Sequence, residues 1–177
     1  MKNYKKNYLE KIYQNLNELN EKELFKFIKL IRIVKEKNSK IIFVGNGGSA
    51  AMASHVSVDF TKACKIRSVN FNEADLLTCY ANDFGYENWV KEALKSYALK
   101  DDLIVLFSSS GKSKNMINAA KYCKQKKLKL VTFTGFSFSN PLGKMGNLNF
   151  WVNSKNYNFV EMTHHIWVLM AVDYLTK

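Results

Sequence analysis

A chain of 177 residues is long enough for one domain with a buried core and too short for two. Apolar residues make up 47% and Pro141 is the only proline, which excludes disordered and collagen-like classes; no apolar run reaches the ~18 residues of a membrane-spanning helix. The formal charge of +12 predicts attraction to an anionic partner, yet Arg32 and Arg67 are the only arginines and no helix-turn-helix, zinc-finger or RNA-recognition pattern occurs, so nucleic acid is not the expected ligand.

Leu9, Ile12, Leu16 and Leu19 recur at helical spacing and predict an amphipathic helix over Tyr4–Leu19. Asn20 followed by Glu23 has the form of a capping box and opens a second helix over Glu21–Lys37, with Leu24, Phe27, Ile28, Ile31 and Val34 facing inward. This helical pair, residues 1–38, precedes every strand. It can pack on the sheet or meet another subunit, and subunit contact is the expectation because one short domain has limited sheet surface to cover. Ile41–Val44 is a β-branched apolar run that reads as a buried parallel strand and stops in Gly45-Asn46-Gly47-Gly48-Ser49. A helix over Ser49–Cys64 follows, then a short strand at Arg67–Phe71 and a helix over Glu73–Ala81. Asn82-Asp83-Phe84-Gly85 is turn chemistry, and Tyr86–Leu99 is again helical.

Leu103–Phe107 is a second continuous apolar run, which belongs in mid-sheet. It ends in Ser108-Ser109-Ser110-Gly111-Lys112-Ser113 and a helix over Ser113–Lys126. Strand, small polar turn and helix therefore occur twice. Further strands are predicted at Leu128–Thr134 and Leu148–Val152, with a loop over Phe136–Gly146 and a closing helix over Phe159–Leu175. The alternation gives an α/β fold: a doubly wound, five-stranded parallel sheet flanked by helices, in a single domain spanning residues 1–177. The three cysteines are odd in number and widely spaced, which suits reduced thiols. The basic N-terminus lacks the apolar segment of a secretory signal, so a cytoplasmic protein is expected.

Both turns are candidate anion sites. Glycines let a ligand approach the main chain, and the first N–H groups of the next helix carry partial positive charge. Gly45-x-Gly47-x-x-Ala50 also fits a dinucleotide fingerprint, with Glu73 or Asp75 as the ribose acid, but that site has no need of a second turn. The hydroxyls of Ser108, Ser109, Ser110 and Ser113 can donate several hydrogen bonds to phosphate oxygens. A P-loop is excluded, because Gly111-Lys112-Ser113 lacks the first glycine at the required spacing.

Taken together, GNGGSAAMASH, the ANDFG of Ala81–Gly85 and FSSSGKS resemble the sugar isomerase (SIS) domain family, in its phosphoheptose isomerase branch. The resemblance runs over most of the chain, including the leading helical pair. It implies that Ser108, Ser109, Ser110 and Ser113 bind a sugar phosphate, that Asn46, Gly47 and Ser49 contact the sugar, and that Asp83 takes part. It also implies a homotetramer with sites built between subunits.

His55 and Asp59 are four residues apart, as are Glu161 and His165, so each pair shares a helix face. Brought together, His55, Asp59, Glu161 and His165 would make a divalent-metal shell, zinc by ligand type; read separately, each is an ordinary helix-surface contact. The family pattern has glutamate where Asp59 stands, and a glutamine followed eight residues later by histidine. Eight residues beyond Glu161 is Leu169, so the distal histidine has no counterpart, and His165 or His164 would have to replace it.

The reaction the resemblance implies is aldose–ketose isomerisation through an enediol, converting sedoheptulose 7-phosphate to D-glycero-D-manno-heptose 7-phosphate for surface polysaccharide precursors. Asp59 is the candidate base and His165 the partner acid. The alternative is a relative that keeps the fold and binds a sugar phosphate in a regulatory role without turnover, which the shortened acid at Asp59 favours.

Overall fold

A computed structural model describes residues 1–177, all but Lys2 with their side chains. The chain order is α1 (Lys2–Asn17), α2 (Glu21–Glu36), β1 (Ile41–Val44), α3 (Gly48–Lys62), β2 (Ser68–Asn70), α4 (Ala74–Phe84), α5 (Trp89–Tyr97), β3 (Leu103–Ser108), α6 (Lys114–Lys126), β4 (Lys129–Thr134), β5 (Leu148–Trp151) and α7 (Tyr157–Thr176). The five strands form one parallel sheet in the order β2-β1-β3-β4-β5. As their unbroken apolar runs require, β1 and β3 are central and every residue in them is buried. The edge strand β5 alternates buried and half-buried positions instead.

Two apolar layers flank the sheet. On one face, α2, α3 and α7 pack around Phe133, whose ring lies 4.6 Å from Phe150, 5.0 Å from Phe107 and 5.9 Å from Phe27, centroid to centroid. On the other face, α5 and α6 bury Trp89, Val90, Leu94, Met116, Ala119 and Ala120, with Leu76, Leu77 and Tyr80 of α4 packed against them. The helical pair is not set apart from this core. Phe27, Ile28, Ile31 and Val34 of α2 are buried within the chain, and α1 lies along α7, where Trp167 Nε1 donates to Leu16 O at 3.1 Å.

Several local expectations change in the structure. Asn20 caps α2, its Oδ1 accepting from Lys22 N at 3.0 Å and Glu23 N at 3.3 Å, but the reciprocal half of the capping box is absent: the Glu23 carboxylate pairs with Lys26 Nζ at 2.7 Å. Asn82, Asp83 and Phe84 do not form a turn. They complete the last turn of α4, and the chain reverses only at Gly85, whose φ of 81° is glycine's region. All three cysteines are free thiols. No helix is long and apolar enough to cross a membrane among the described residues.

Candidate active site at the switch point of the sheet

From β1 the chain passes to β2 on one side and later returns to β3 on the other, so the direction of winding reverses between β1 and β3. At such a point the carboxyl ends of two strands and the amino ends of two helices border a crevice. The strands are the two whose ends carry the glycine and serine turns, which lead into α3 and α6.

Neither α3 nor α6 is closed by a capping side chain. The same holds for α1, α4 and α5, whereas α2 and α7 are capped, Asn156 Oδ1 accepting from Asn158 N and Phe159 N. The positive end of each helix dipole faces the crevice, although Ser49 N and Ala50 N of α3 already bond back to Asn46 O at 3.1 Å and Gly47 O at 3.0 Å, and Met116 N of α6 bonds Asn115 Oδ1 at 3.0 Å. Gly47, at the N-cap position of α3, has φ 55°, a conformation that disfavours a side chain, and the space where its Cβ would stand is open to 4 Å. In the serine turn, Ser108 Oγ donates to Ser113 Oγ at 3.1 Å and Ser110 Oγ accepts from Lys112 N at 3.2 Å. Ser109 is only 4% exposed and its hydroxyl makes no well-formed hydrogen bond among the described residues.

Helix α7 brings the third wall. The Glu161 carboxylate lies so close over Gly48 that any Cβ there would collide with it, and it also stands beside the Ser109 hydroxyl. Burial pushes the Glu161 carboxyl above the usual range, with Ser109 partly opposing the shift. One turn further along, the His165 ring meets the His55 ring edge-on at 4.8 Å, and His55 Nε2 lies 3.2 Å from Asp59 Oδ2. Burial, and then the neighbouring His55, hold His165 below the usual imidazole value, against the pull of Asp59. His165 Nε2 has no hydrogen-bond partner among the described residues.

The adjacent histidines are thereby separated by role. His164 is fully buried on the core side, its Nε2 3.0 Å from Thr134 O. A carbonyl only accepts, so Nε2 carries the proton, and burial lowers this imidazole to about 4. His164 ties α7 to the end of β4, whereas His165 faces His55.

His55, Asp59 and His165 form one chain of side chains, with Glu161 a turn away between the two turns. The quartet proposed for a metal does not converge: among the described residues no three His, Cys, Asp or Glu side chains are placed to hold one ion. Asp59 already engages His55 Nε2, one of the nitrogens a metal would need. These donors, as arranged, do not fit zinc. Asp83 is exposed and, among the described residues, pairs only within α4, with Asn82 Nδ2 at 3.0 Å and Cys79 Sγ at 3.8 Å.

Two residues absent from the sequence reading join the site. Asn46 exchanges two hydrogen bonds with Asn115 of α6 and accepts a third from the Tyr86 hydroxyl. A signal was present for Asn115, a poor helix former in a first helical turn just after the serine cluster. Tyr86 follows a chain-reversing glycine and had no such mark.

A cavity of about 340 Å³ lies at the opposite end of the sheet, floored by Leu30, Ile33, Val34 and Leu103 and rimmed by Lys100, Lys126, Lys127 and Lys129. It stands at the carboxyl ends of α2 and α6, where lysines complement the helix dipoles.

The switch point of this parallel α/β sheet thus brings the N-termini of α3 and α6 beside a histidine–carboxylate cluster, the layout of a ligand-binding α/β protein. The SIS domain profile matches residues 4–135, and the chain belongs to that family, in its phosphoheptose isomerase branch. It is 31% identical over 140 residues to a phosphoheptose isomerase of Aneurinibacillus thermoaerophilus, covering 73% of this chain and 69% of that one. With phosphoheptose isomerase 2 of Campylobacter jejuni the identity is 34% over 116 residues, 62% of this chain and 57% of the relative, so the chain spans little more than half of that protein. The solved structure of phosphoheptose isomerase GmhA from Neisseria gonorrhoeae superposes with a TM-score of 0.88 at 20% identity, covering 98% of both chains, and so shares the fold.

Proposed function

We propose that this protein is a sugar-phosphate aldose–ketose isomerase acting on sedoheptulose 7-phosphate to give D-glycero-D-manno-heptose 7-phosphate for surface polysaccharide precursors. The observation that carries the reading is the placement of Glu161, which lies against the glycine turn at Gly48 and the serine turn at Ser109 and so brings α7, with His165, to the crevice. The relatives named as phosphoheptose isomerases support the substrate class.

In this reading Ser108, Ser109, Ser110 and Ser113 and the open end of α6 hold the phosphate. Asn46, Gly47 and Ser49 face the sugar, with Asp83 at the rim. Asp59, oriented by His55, removes a proton from C1 of the ketose; the electron pair forms the C1–C2 double bond and the C2 carbonyl oxygen takes a proton from His165. The resulting enediol loses its O1 proton as C2 is protonated, which leaves an aldehyde at C1. The half-buried crevice strengthens the hydrogen bonds that stabilise the enediolate. No step is routed through a metal.

An assembly of copies belongs to the same proposal. Met162, Ile166, Met170 and Tyr174 form an exposed apolar stripe on α7 beside the Glu161–His165 face, the kind of surface a second subunit covers. Light scattering on the purified chain reads the number of copies.

The test is solvent deuterium exchange and isomerisation with sedoheptulose 7-phosphate and a panel of other ketose phosphates, with added zinc and with chelator. Exchange that is indifferent to both additions is the expected result. Exchange that requires zinc would show that His55 leaves Asp59 to bind it. Thermal stabilisation by the sugar phosphate without any exchange would favour the regulatory reading.

A further inference from the structure

We infer that Asn115 is a positioning residue of this site, fixing which way the Asn46 carboxamide points so that it offers a hydrogen-bond donor to the sugar. The inference rests on the proposed sugar-phosphate site and goes beyond it by assigning the polarity of one contact. Asn46 lies between Gly45 and Gly47, so neither sequence neighbour has a side chain to hold it. Its carboxamide is held from across the crevice: Asn46 Nδ2 donates to Asn115 Oδ1 at 3.1 Å, and Asn115 Nδ2 donates back to Asn46 Oδ1 at 2.9 Å.

A reciprocal carboxamide pair is self-consistent in two orientations, since turning both groups over exchanges donors and acceptors. What breaks the tie is the main chain. Met116 N donates to Asn115 Oδ1 at 3.0 Å, and a backbone N–H cannot become an acceptor. Turning Asn115 over would set its NH₂ against that N–H. Asn115 is 2% exposed, so no solvent is at hand to relieve the conflict.

The polarity passes to Asn46. Its Oδ1 accepts from both Asn115 Nδ2 and the Tyr86 hydroxyl, the latter at 3.2 Å, which fills both lone pairs. Of its two Nδ2 protons one goes to Asn115 Oδ1. The other is the single unspent hydrogen-bonding element of the group, and Asn46 is itself half-buried at the crevice. The side chain therefore presents a donor and no acceptor, which suits a carbonyl, hydroxyl or enediolate oxygen of the sugar.

The experiment is calorimetric binding of sedoheptulose 7-phosphate, and separately of inorganic phosphate, to the full chain and to Asn46→Ala, Asn115→Ala and the double variant, each checked for folding by thermal melt. Loss of one such contact corresponds to roughly a tenfold weakening. Each single variant is expected to bind the sugar phosphate about tenfold more weakly, the double variant no more weakly than Asn46→Ala, and inorganic phosphate is expected to bind all four proteins equally. Asn115→Asp serves if the alanine variant fails to fold. It keeps the acceptor for Met116 but cannot donate to Asn46 Oδ1, and the same tenfold loss is expected. Additive losses, unchanged sugar-phosphate affinity in Asn115→Ala, or an equal loss for inorganic phosphate would overturn the inference, because Asn115 would then act on the serine turn or on neither turn. A native protein that binds sugar phosphate without turnover removes the isomerase reading and leaves this one standing. A native protein that binds no sugar phosphate removes both.

Discussion

The two ends of the sheet treat their carboxylates in opposite ways. At the amino end, Asp102 is 1% exposed and accepts from Lys40 Nζ at 2.5 Å, Leu99 N at 2.7 Å, Ser39 Oγ at 2.8 Å and Lys40 N at 3.1 Å. Burial alone would raise this carboxyl. The hydrogen bonds from Lys40, Leu99 and Ser39 outweigh it and hold the group below the usual carboxylate range. At the carboxyl end, Glu161 is pushed up by burial, and the Ser109 hydroxyl and His165 Nε2 beside it lack well-formed partners. A buried polar group with every bond made holds the fold together, whereas one left unmade costs stability.

The largest expected effect breaks function and spares the fold. Asp59→Asn should lower isomerisation by about 10²–10⁴-fold, the span of general acid–base catalysis. Its pair with His55 is 32% and 52% exposed, so the melting temperature should hardly move. A large fall in Tm with activity retained would reverse the assignment of the two ends.

Asp102→Ala should do the opposite. Removing one partner of a buried pair strands Lys40 and the Leu99 N–H and costs about 3 kcal/mol, or roughly 6–12 °C in Tm for a chain of this size. The activity of the remaining folded protein should be unchanged. Glu161→Gln is the smaller counterpart and has a sign that depends on pH. The folded Glu161 carboxyl titrates above its unfolded value, so its contribution is present below that unfolded value, about 4.3, and is lost as pH rises through the folded value. The amide should therefore raise Tm relative to the native chain at pH 7 and lose that advantage near pH 4. Asp102 runs the other way, its contribution present above an unfolded value of about 3.9 and lost as pH falls through the lower folded value. Melts of both variants between pH 3 and 7 read both signs.

Much of this contrast was legible in the sequence at the carboxyl end and little of it at the amino end. The unbroken runs of β1 and β3 located the central strands, and the small polar turns after them located the crevice, because backbone conformation and hydrogen-bonding type are local properties. The strand order was not local. That β1 and β3 are neighbours, which makes the two turns one site, follows from long-range packing. The spacing of His55 with Asp59 gave a real contact, but the quartet with Glu161 did not close on a single point, since i,i+4 spacing fixes a shared face and says nothing of the distance between two helices. Spacing also could not choose between His164 and His165, whose fates differ by the 100° between successive helical residues. Asp102 read simply as the lead into β3. Three of its four donors come from Ser39 and Lys40, more than sixty positions away, and the fourth from Leu99 across a tight turn, and only the fold gathers them.

The smallest expected effect separates two neighbours in the sequence. Asp101 also pairs with a lysine, Lys37, at 2.5 Å, as close as Asp102 lies to Lys40. The difference is solvent: the Asp101 and Lys37 side chains are 45% and 51% exposed, against 1% and 18% for Asp102 and Lys40. Water and salt screen the outer pair, and each long side chain loses rotamer freedom to make it. Asp101→Asn should therefore change stability by less than about 1 kcal/mol, and the change should shrink further in 0.5 M salt, while the loss in Asp102→Ala persists there. Equal losses for the two aspartates would show that proximity of charge, and not completion of a buried group's hydrogen bonds, stabilises the amino end of the sheet.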